Sequence, residues 1–243
     1  MLGKPTIATF GGAYSNHILA TAFACKVSGF QSVGFIRGEK PEDYSTTLQQ
    51  AEEYGMQLIF ISRDQYKQKD EIASEFAHMN WYWIDEGGYG STGAKGAEDI
   101  LKYSSAGSYT HILASVGTGT MLTGLSMASS ADQQVIGISS MKGNLSLENA
   151  VQSLIPKDTP HAPFKIIHDY HFGGYAKHPE TLINFIEESL TLYDLPLDIV
   201  YTGKLLYAIK DLVQKNFFAK GSKLLMIHSG GLQGNASLGE NVL

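Results

Sequence analysis

Short runs of apolar and β-branched residues alternate along this chain with longer stretches whose apolar positions recur at helical spacing. Residues 6–10 (TIATF), 32–37 (SVGFIR), 58–62 (LIFIS) and 81–84 (WYWI) have the length and composition of strands. Between them, residues 17–28, 44–54 and 65–79 read as helices, the last more polar and more exposed, and Gly55 stands where it ends the second. The pattern then changes, with five glycines between Glu86 and Gly96 before a helix that runs to about residue 103. Further strands are predicted at 111–114 (HILA), 135–139 (VIGIS) and 224–228 (LLMIH, buried), with a short candidate at 166–168. Helices are predicted at 121–129, 144–155, 179–193 and 203–218. The tail, 232–243, is small and polar and is expected to be loosely ordered.

Alternation this regular predicts an α/β fold of two three-layer α/β/α domains with mostly parallel sheets, a smaller one over 1–86 and a larger one over 87–243. In such sheets ligands bind beyond the carboxyl ends of the strands. The turns that end strands therefore carry the functional information.

Composition narrows the classes. Of 243 residues, 43% are hydrophobic and 17% charged, and the formal net charge is -6. There is no basic block of the kind that binds nucleic acid, and no apolar run approaches the ~18 residues of a membrane span. Met1-Leu2-Gly3-Lys4-Pro5 has no apolar core of signal-peptide length. The single cysteine, Cys25, excludes an intrachain disulfide and fits a reducing compartment, so a soluble cytoplasmic protein is expected. HExxH, CxxC and EF-hand spacings are absent, so no metal site is expected. Glu52, Glu53, Glu187 and Glu188 are most simply solvated helix faces.

Three turns could carry chemistry. Gly11-Gly12-Ala13-Tyr14-Ser15-Asn16-His17 joins a strand to a helix whose N-terminal N–H groups can meet an anion, although serine and asparagine also serve there as plain caps. Ser115-Val116-Gly117-Thr118-Gly119-Thr120 offers successive amides, two hydroxyls and a helix N-terminus to a phosphate dianion. It is no P-loop, since no Lys-Ser/Thr pair follows, and Leu122 breaks the dinucleotide fingerprint. His228-Ser229-Gly230-Gly231 would let a flat ligand pass close to the backbone, or would simply end a strand. A glycine turn at Gly173-Gly174-Tyr175 and a tyrosine just before a helix, in Asp198-Ile199-Val200-Tyr201-Thr202-Gly203-Lys204, complete the set.

The order of Phe10-Gly11-Gly12-Ala13-Tyr14-Ser15-Asn16-His17, Gly117-Thr118-Gly119-Thr120, Val200-Tyr201-Thr202-Gly203-Lys204 and His228-Ser229-Gly230-Gly231 resembles the 1-aminocyclopropane-1-carboxylate deaminase / D-cysteine desulfhydrase family. That family belongs to the fold type II, tryptophan-synthase-β-like enzymes. The resemblance implies pyridoxal 5'-phosphate as cofactor, a small amino acid as substrate and a homodimer. It implies that Gly117, Thr118, Gly119 and Thr120 hold the cofactor phosphate, that Asn16 bonds the ring 3-hydroxyl, and that Ser229 faces the ring nitrogen. Relatives often place threonine or an acid at that last position, and a serine leaves the ring a weaker electron sink. Ser15 and Tyr201 would be the catalytic residues, with Ser15, His17 and Tyr175 against the substrate. The reaction would release ammonia and a 2-oxo acid, from 1-aminocyclopropane-1-carboxylate or from D-cysteine.

One departure stands out. The family's Schiff-base lysine lies in a Gly-Asn-Lys segment well before the Ser-Asn-His turn. Here fourteen residues precede Ser15, and their only lysine, Lys4, has no such context. That lysine, with a strand and a helix of the larger domain, is expected to lie outside this chain, leaving the chain inactive as given. The alternatives are a non-catalytic binder of pyridoxal phosphate or another phosphorylated metabolite, and a truncated product that folds poorly.

Overall fold

The computed structural model of the chain describes residues 5–238, so Lys4 and the residues after 238 lie outside the described part. The chain divides into two compact units, 1–88 and 89–243.

In the first unit, β1 (Thr6–Gly11), β2 (Gln31–Arg37), β3 (Met56–Ile61) and β4 (Tyr82–Ile84) form one sheet in the order β3-β2-β1-β4. All its pairings are parallel. Helix α1 (Asn16–Ser28) connects β1 to β2, and α2 (Thr46–Glu53) connects β2 to β3. Apolar residues cover both faces, as a parallel sheet requires. One face is aromatic, with Phe10, Phe35, Tyr66, Phe76, Trp81 and Trp83 packed together. The other seats Ile18, Ala22, Leu48 and Ala51 from the two helices.

The second unit repeats the plan. Strands β5 (His111–Val116), β6 (Gln134–Ser139), β7 (Phe164–Ile167) and β8 (Leu224–Met226) pair in parallel in the order β7-β6-β5-β8. Helices α4 (Ser91–Glu98), α5 (Thr120–Ala128), α6 (Leu147–Leu154), α7 (Glu180–Tyr193) and α8 (Thr202–Gln214) belong to this unit. Each sheet thus starts at an inner strand, adds two strands on one side and the last on the other. The direction reverses beside β1 in one unit and beside β5 in the other, and ligands bind at such switch points. The turn holding Ser15 follows β1 and the Gly117–Thr120 loop follows β5.

Several sequence expectations are corrected. Residues 65–79 are not one helix. They form 3-10 turns at Gln65–Lys67 and Ala77–Met79 flanking α3 (Lys69–Glu75), because Gln68 leaves helical geometry (φ -109, ψ 48). The helix expected from residue 144 starts only at Leu147, since Asn144 and Ser146 bond each other through their side chains. The helix expected to reach residue 218 stops at Gln214, and Asn216 follows in the left-handed region. Helix α4 begins inside the glycine-rich stretch, and the segment to Tyr103 continues as 3-10 helix. The last strand is a short, half-buried edge strand rather than a buried one. The stretch Leu232–Leu238 takes 3-10 geometry, with Asn235 accepting from Ile199 N–H at 3.1 Å and donating to Leu197 O at 2.9 Å, while the rest of the tail lies outside the described residues.

Helices α4 and α5 cross at Gly124. A Cβ there would overlap the Ala94 carbonyl oxygen and lie 2.6 Å from Ala97 Cβ. Backbone cannot move aside as a flexible side chain can. Gly124→Ala is therefore expected to cost about 1–3 kcal/mol of stability, read as a lower urea midpoint. An unchanged midpoint would mean that the helices do not meet at this residue.

Candidate active site

In the first unit, β1 ends at Gly11, where any side chain would collide with Ile18 and come within 2.9 Å of Ser15 Oγ. The missing Cβ lets the turn fold tightly. Ser15 N–H donates to Gly12 O at 3.1 Å, and Ser15 Oγ accepts from Ile18 N–H at 3.3 Å, capping α1. The cap occupies an acceptor lone pair of Ser15 and leaves its hydroxyl proton to donate. The Ala13 carbonyl accepts from Ser45 Oγ, which also caps α2. Asn16, half-buried, opens α1.

His17 has a defined tautomer. Thr9 Oγ1 lies 2.7 Å from Ile84 O and 2.7 Å from His17 Nε2. The single hydroxyl proton goes to the carbonyl, which can only accept, so His17 donates from Nε2–H and its Nδ1 is unprotonated. Burial holds its pKa down at about 4, with Glu86 opposing. At neutral pH His17 is therefore an uncharged ring fastened to Thr9 of β1, whose hydroxyl in turn holds Ile84 of β4.

In the second unit, β5 runs into Gly117-Thr118-Gly119-Thr120. Gly119 sits in the left-handed region (φ 94), and a Cβ there would lie 2.9 Å from Val151 Cγ2. The first turn of α5 has no side-chain cap and no acidic residue. The Thr118 and Thr120 hydroxyls stand 3.1 Å apart. Free N–H groups at a helix start, two hydroxyls and no nearby carboxylate on that turn are the donor set a phosphate dianion needs. The residues present fit a cofactor phosphate.

Tyr201 is brought to this loop. A Cβ on Gly117 would lie 3.6 Å from Tyr201 Oη, and the Tyr201 carbonyl accepts from Ser115 Oγ at 2.9 Å. The backbone around it is set by Asp198, fully buried, whose Oδ1 accepts from Val200 and Tyr201 N–H at 2.8 and 2.7 Å. Its Oδ2 accepts from Thr202 N–H at 2.8 Å and Thr202 Oγ1 at 2.6 Å. Tyr175 stands edge-on to Tyr201, ring centroids 6.2 Å apart. Ser229 is exposed in the turn after β8, at the same carboxyl end of the sheet as the Gly117–Thr120 loop. Among the described residues no cluster of histidine, cysteine and carboxylates could hold a metal ion, and no helix is long and apolar enough to cross a membrane.

The sequence reading passed over Thr9 and quoted Asp198 and Lys204 only as members of a longer stretch, with no role for either. Asp198 had a signal, an acid placed just ahead of a helix start. Lys204 had a weaker one, a lone lysine in the otherwise apolar start of α8.

Residues 3–230 match the family model described as pyridoxal-phosphate dependent enzyme. The chain belongs to that pyridoxal-phosphate dependent family. Members of the family use pyridoxal phosphate, the cofactor expected from the sequence. Among relatives, a Pyrococcus abyssi protein provisionally named 1-aminocyclopropane-1-carboxylate deaminase is 29% identical, over 99% of this chain and 78% of its own length. The mitochondrial bifunctional D-cysteine desulfhydrase/1-aminocyclopropane-1-carboxylate deaminase of Arabidopsis thaliana is 27% identical, over 94% of this chain and 64% of its own. Among solved structures, a 1-aminocyclopropane-1-carboxylate deaminase homologue superposes with a TM-score of 0.81 at 26% identity, covering 99% of this chain and 78% of that one. Two parallel-sheet α/β units with these neighbours make this a fold type II pyridoxal-phosphate enzyme fold.

Proposed function

We propose that this chain carries the cofactor- and substrate-facing residues of a pyridoxal-phosphate enzyme that releases ammonia and a 2-oxo acid from a small amino acid, 1-aminocyclopropane-1-carboxylate or D-cysteine. The observation that carries the reading is the uncapped Gly117–Thr120 loop at a topological switch point with Tyr201 against it. The relatives' names support the two substrates.

When bound, the cofactor withdraws electrons from the substrate carbon next to the amine. The amides and hydroxyls of Gly117, Thr118, Gly119 and Thr120 hold its phosphate, Asn16 bonds the ring 3-hydroxyl, and Ser229 offers a neutral hydroxyl to the ring nitrogen. Ser15 and Tyr201 are the residues for proton transfer or nucleophilic attack, each with a hydroxyl beside a turn that ends a switch-point strand. Neutral His17 and Tyr175 bind the substrate. A homodimer and a cytoplasmic location belong to the same proposal.

The sequence contains no Gly-Asn-Lys segment. Lys204 is a poor substitute, because its ammonium is buried and engaged with main-chain carbonyls. Mixing the protein with pyridoxal phosphate, reducing with borohydride and mapping the peptides by mass spectrometry should give no label on Lys204. A version extended at its N-terminus to include a Gly-Asn-Lys segment should trap the cofactor on that lysine and release ammonia from one of the two substrates. Failure of both to trap the cofactor would sink the enzyme reading and leave a non-covalent binder.

A further inference from the structure

Lys204 is 1% exposed, and the functional reading gives it no part. Its Nζ donates to Gly174 O at 2.8 Å and His171 O at 3.0 Å, and reaches Ser140 O at 3.5 Å. An ammonium has three N–H donors, and three main-chain carbonyls face it. Ser140 directly follows β6, and His171 and Gly174 belong to the turn after β7. Asp198 acts on the charge electrostatically and opposes the burial that draws the Lys204 pKa down to about 8. The carbonyl dipoles favour the charged form as well. Oxygen atoms converging on one buried positive charge form the kind of cage that would also take a bare monovalent cation.

The turn so gripped has an unusual backbone. Phe172 and Ala176 both lie in the left-handed region (φ 54 each), with Gly173 at φ 97 and Gly174 at φ 131 between them. Such a run persists only where its surroundings over-determine it. Local bonds supply part of this, from Gly174 N–H to His171 O at 3.0 Å and from Lys177 N–H to Gly174 O at 3.1 Å. Lys204 binds the same two carbonyls from the helix side. The Phe172 ring meets Tyr207 edge-on at 4.9 Å, and Tyr207 is on α8, three residues beyond Lys204.

We propose that Lys204 is a positioning residue, the built-in cation of a main-chain carbonyl cage that locks the 171–177 turn to the start of α8 and thereby sets the Tyr175–Tyr201 pair. The consequence for substrate rests on the reading that these tyrosines face it, whereas the cage itself does not. Once the side chain is cut back, the cage becomes a site for a small monovalent cation.

Hydrogen exchange over residues 171–177, measured without cofactor, tests this in the wild type, Lys204→Met and Lys204→Ala. Exchange should quicken at least about ten-fold in Lys204→Met. In Lys204→Ala, ammonium chloride should restore protection and tetramethylammonium chloride, whose cation is too large for the cage, should not. Wild-type protection in both variants, or equal rescue by the two salts, would overturn the proposal. Should neither variant fold, NMR of the wild type with ¹⁵N-labelled lysine decides. The cage predicts one NζH3+ resonance shielded from solvent exchange at neutral pH, and its absence contradicts the cage. A failure to bind pyridoxal phosphate would count against the functional reading and leave these results intact.

Discussion

Asp198→Ala is expected to cost about 3–5 kcal/mol of stability in the second unit, a large part of what a domain of this size has to lose. The carboxylate is fully buried and accepts from three main-chain N–H groups and the Thr202 hydroxyl. Alanine leaves all four donors without this acceptor where water cannot readily replace it, and deprives buried Lys204 of the carboxylate that opposes its desolvation. Asp198→Asn should cost roughly half as much, because an amide keeps one acceptor oxygen and turns the other position into a donor facing donors. Urea unfolding followed by far-UV circular dichroism measures both. Tryptophan fluorescence serves as a control, since Trp81 and Trp83 are both in the first unit. A loss below about 1 kcal/mol for Asp198→Ala would mean that the start of α8 is held by something else.

The second large effect is a loss of stability in acid that traces to His17. Its pKa falls from an ordinary 6.5 to about 4 in the folded chain. As pH drops below 6.5 the unfolded chain takes up this proton first, so stability is intact above 6.5 and drains away between 6.5 and 4. The full loss is on the order of 3 kcal/mol. Glu86 faces the ring and opposes the shift, but that carboxylate is shared with Lys69 at 2.6 Å. His17→Gln retains an N–H for Thr9 and does not titrate. Tryptophan-detected unfolding should therefore lose stability over this window in the wild type and lose much less in the variant. Parallel curves would show that the ring is not buried neutral.

The strands and the switch-point turns could be read from the chain because β-branched runs ending in glycine leave few alternatives. Helix ends were harder, since they depend on single residues. Ser45 caps α2 so that it starts at Thr46 rather than at residue 44, and Asn216 in the left-handed region stops α8 early. Residues 65–79 carry enough polarity for a surface helix, yet Gln68 breaks them, a choice no local pattern announces. At the candidate site the Gly117–Thr120 loop could be named from its strand–glycine–helix pattern, whereas Ser15 and Tyr201 were named through the family resemblance, because a serine or a tyrosine at a helix start reads equally well as a plain cap or a packing residue. The tautomer of His17 could not, since it depends on Ile84, far along the chain. Nor could the Lys204 cage, whose three carbonyls come from two separate strand ends.

Calorimetric titration of the protein with pyridoxal phosphate and with pyridoxal tests most directly whether the Gly117–Thr120 loop is a phosphate site. Pyridoxal phosphate should bind at least about ten-fold more tightly than pyridoxal, a difference of about 1.4 kcal/mol or more. Inorganic phosphate should compete with it. Gly119→Ala, which forces a Cβ into a left-handed turn and to 2.9 Å from Val151 Cγ2, should erase the difference. Equal affinity for the two compounds, or a difference that survives Gly119→Ala unchanged, would contradict the account.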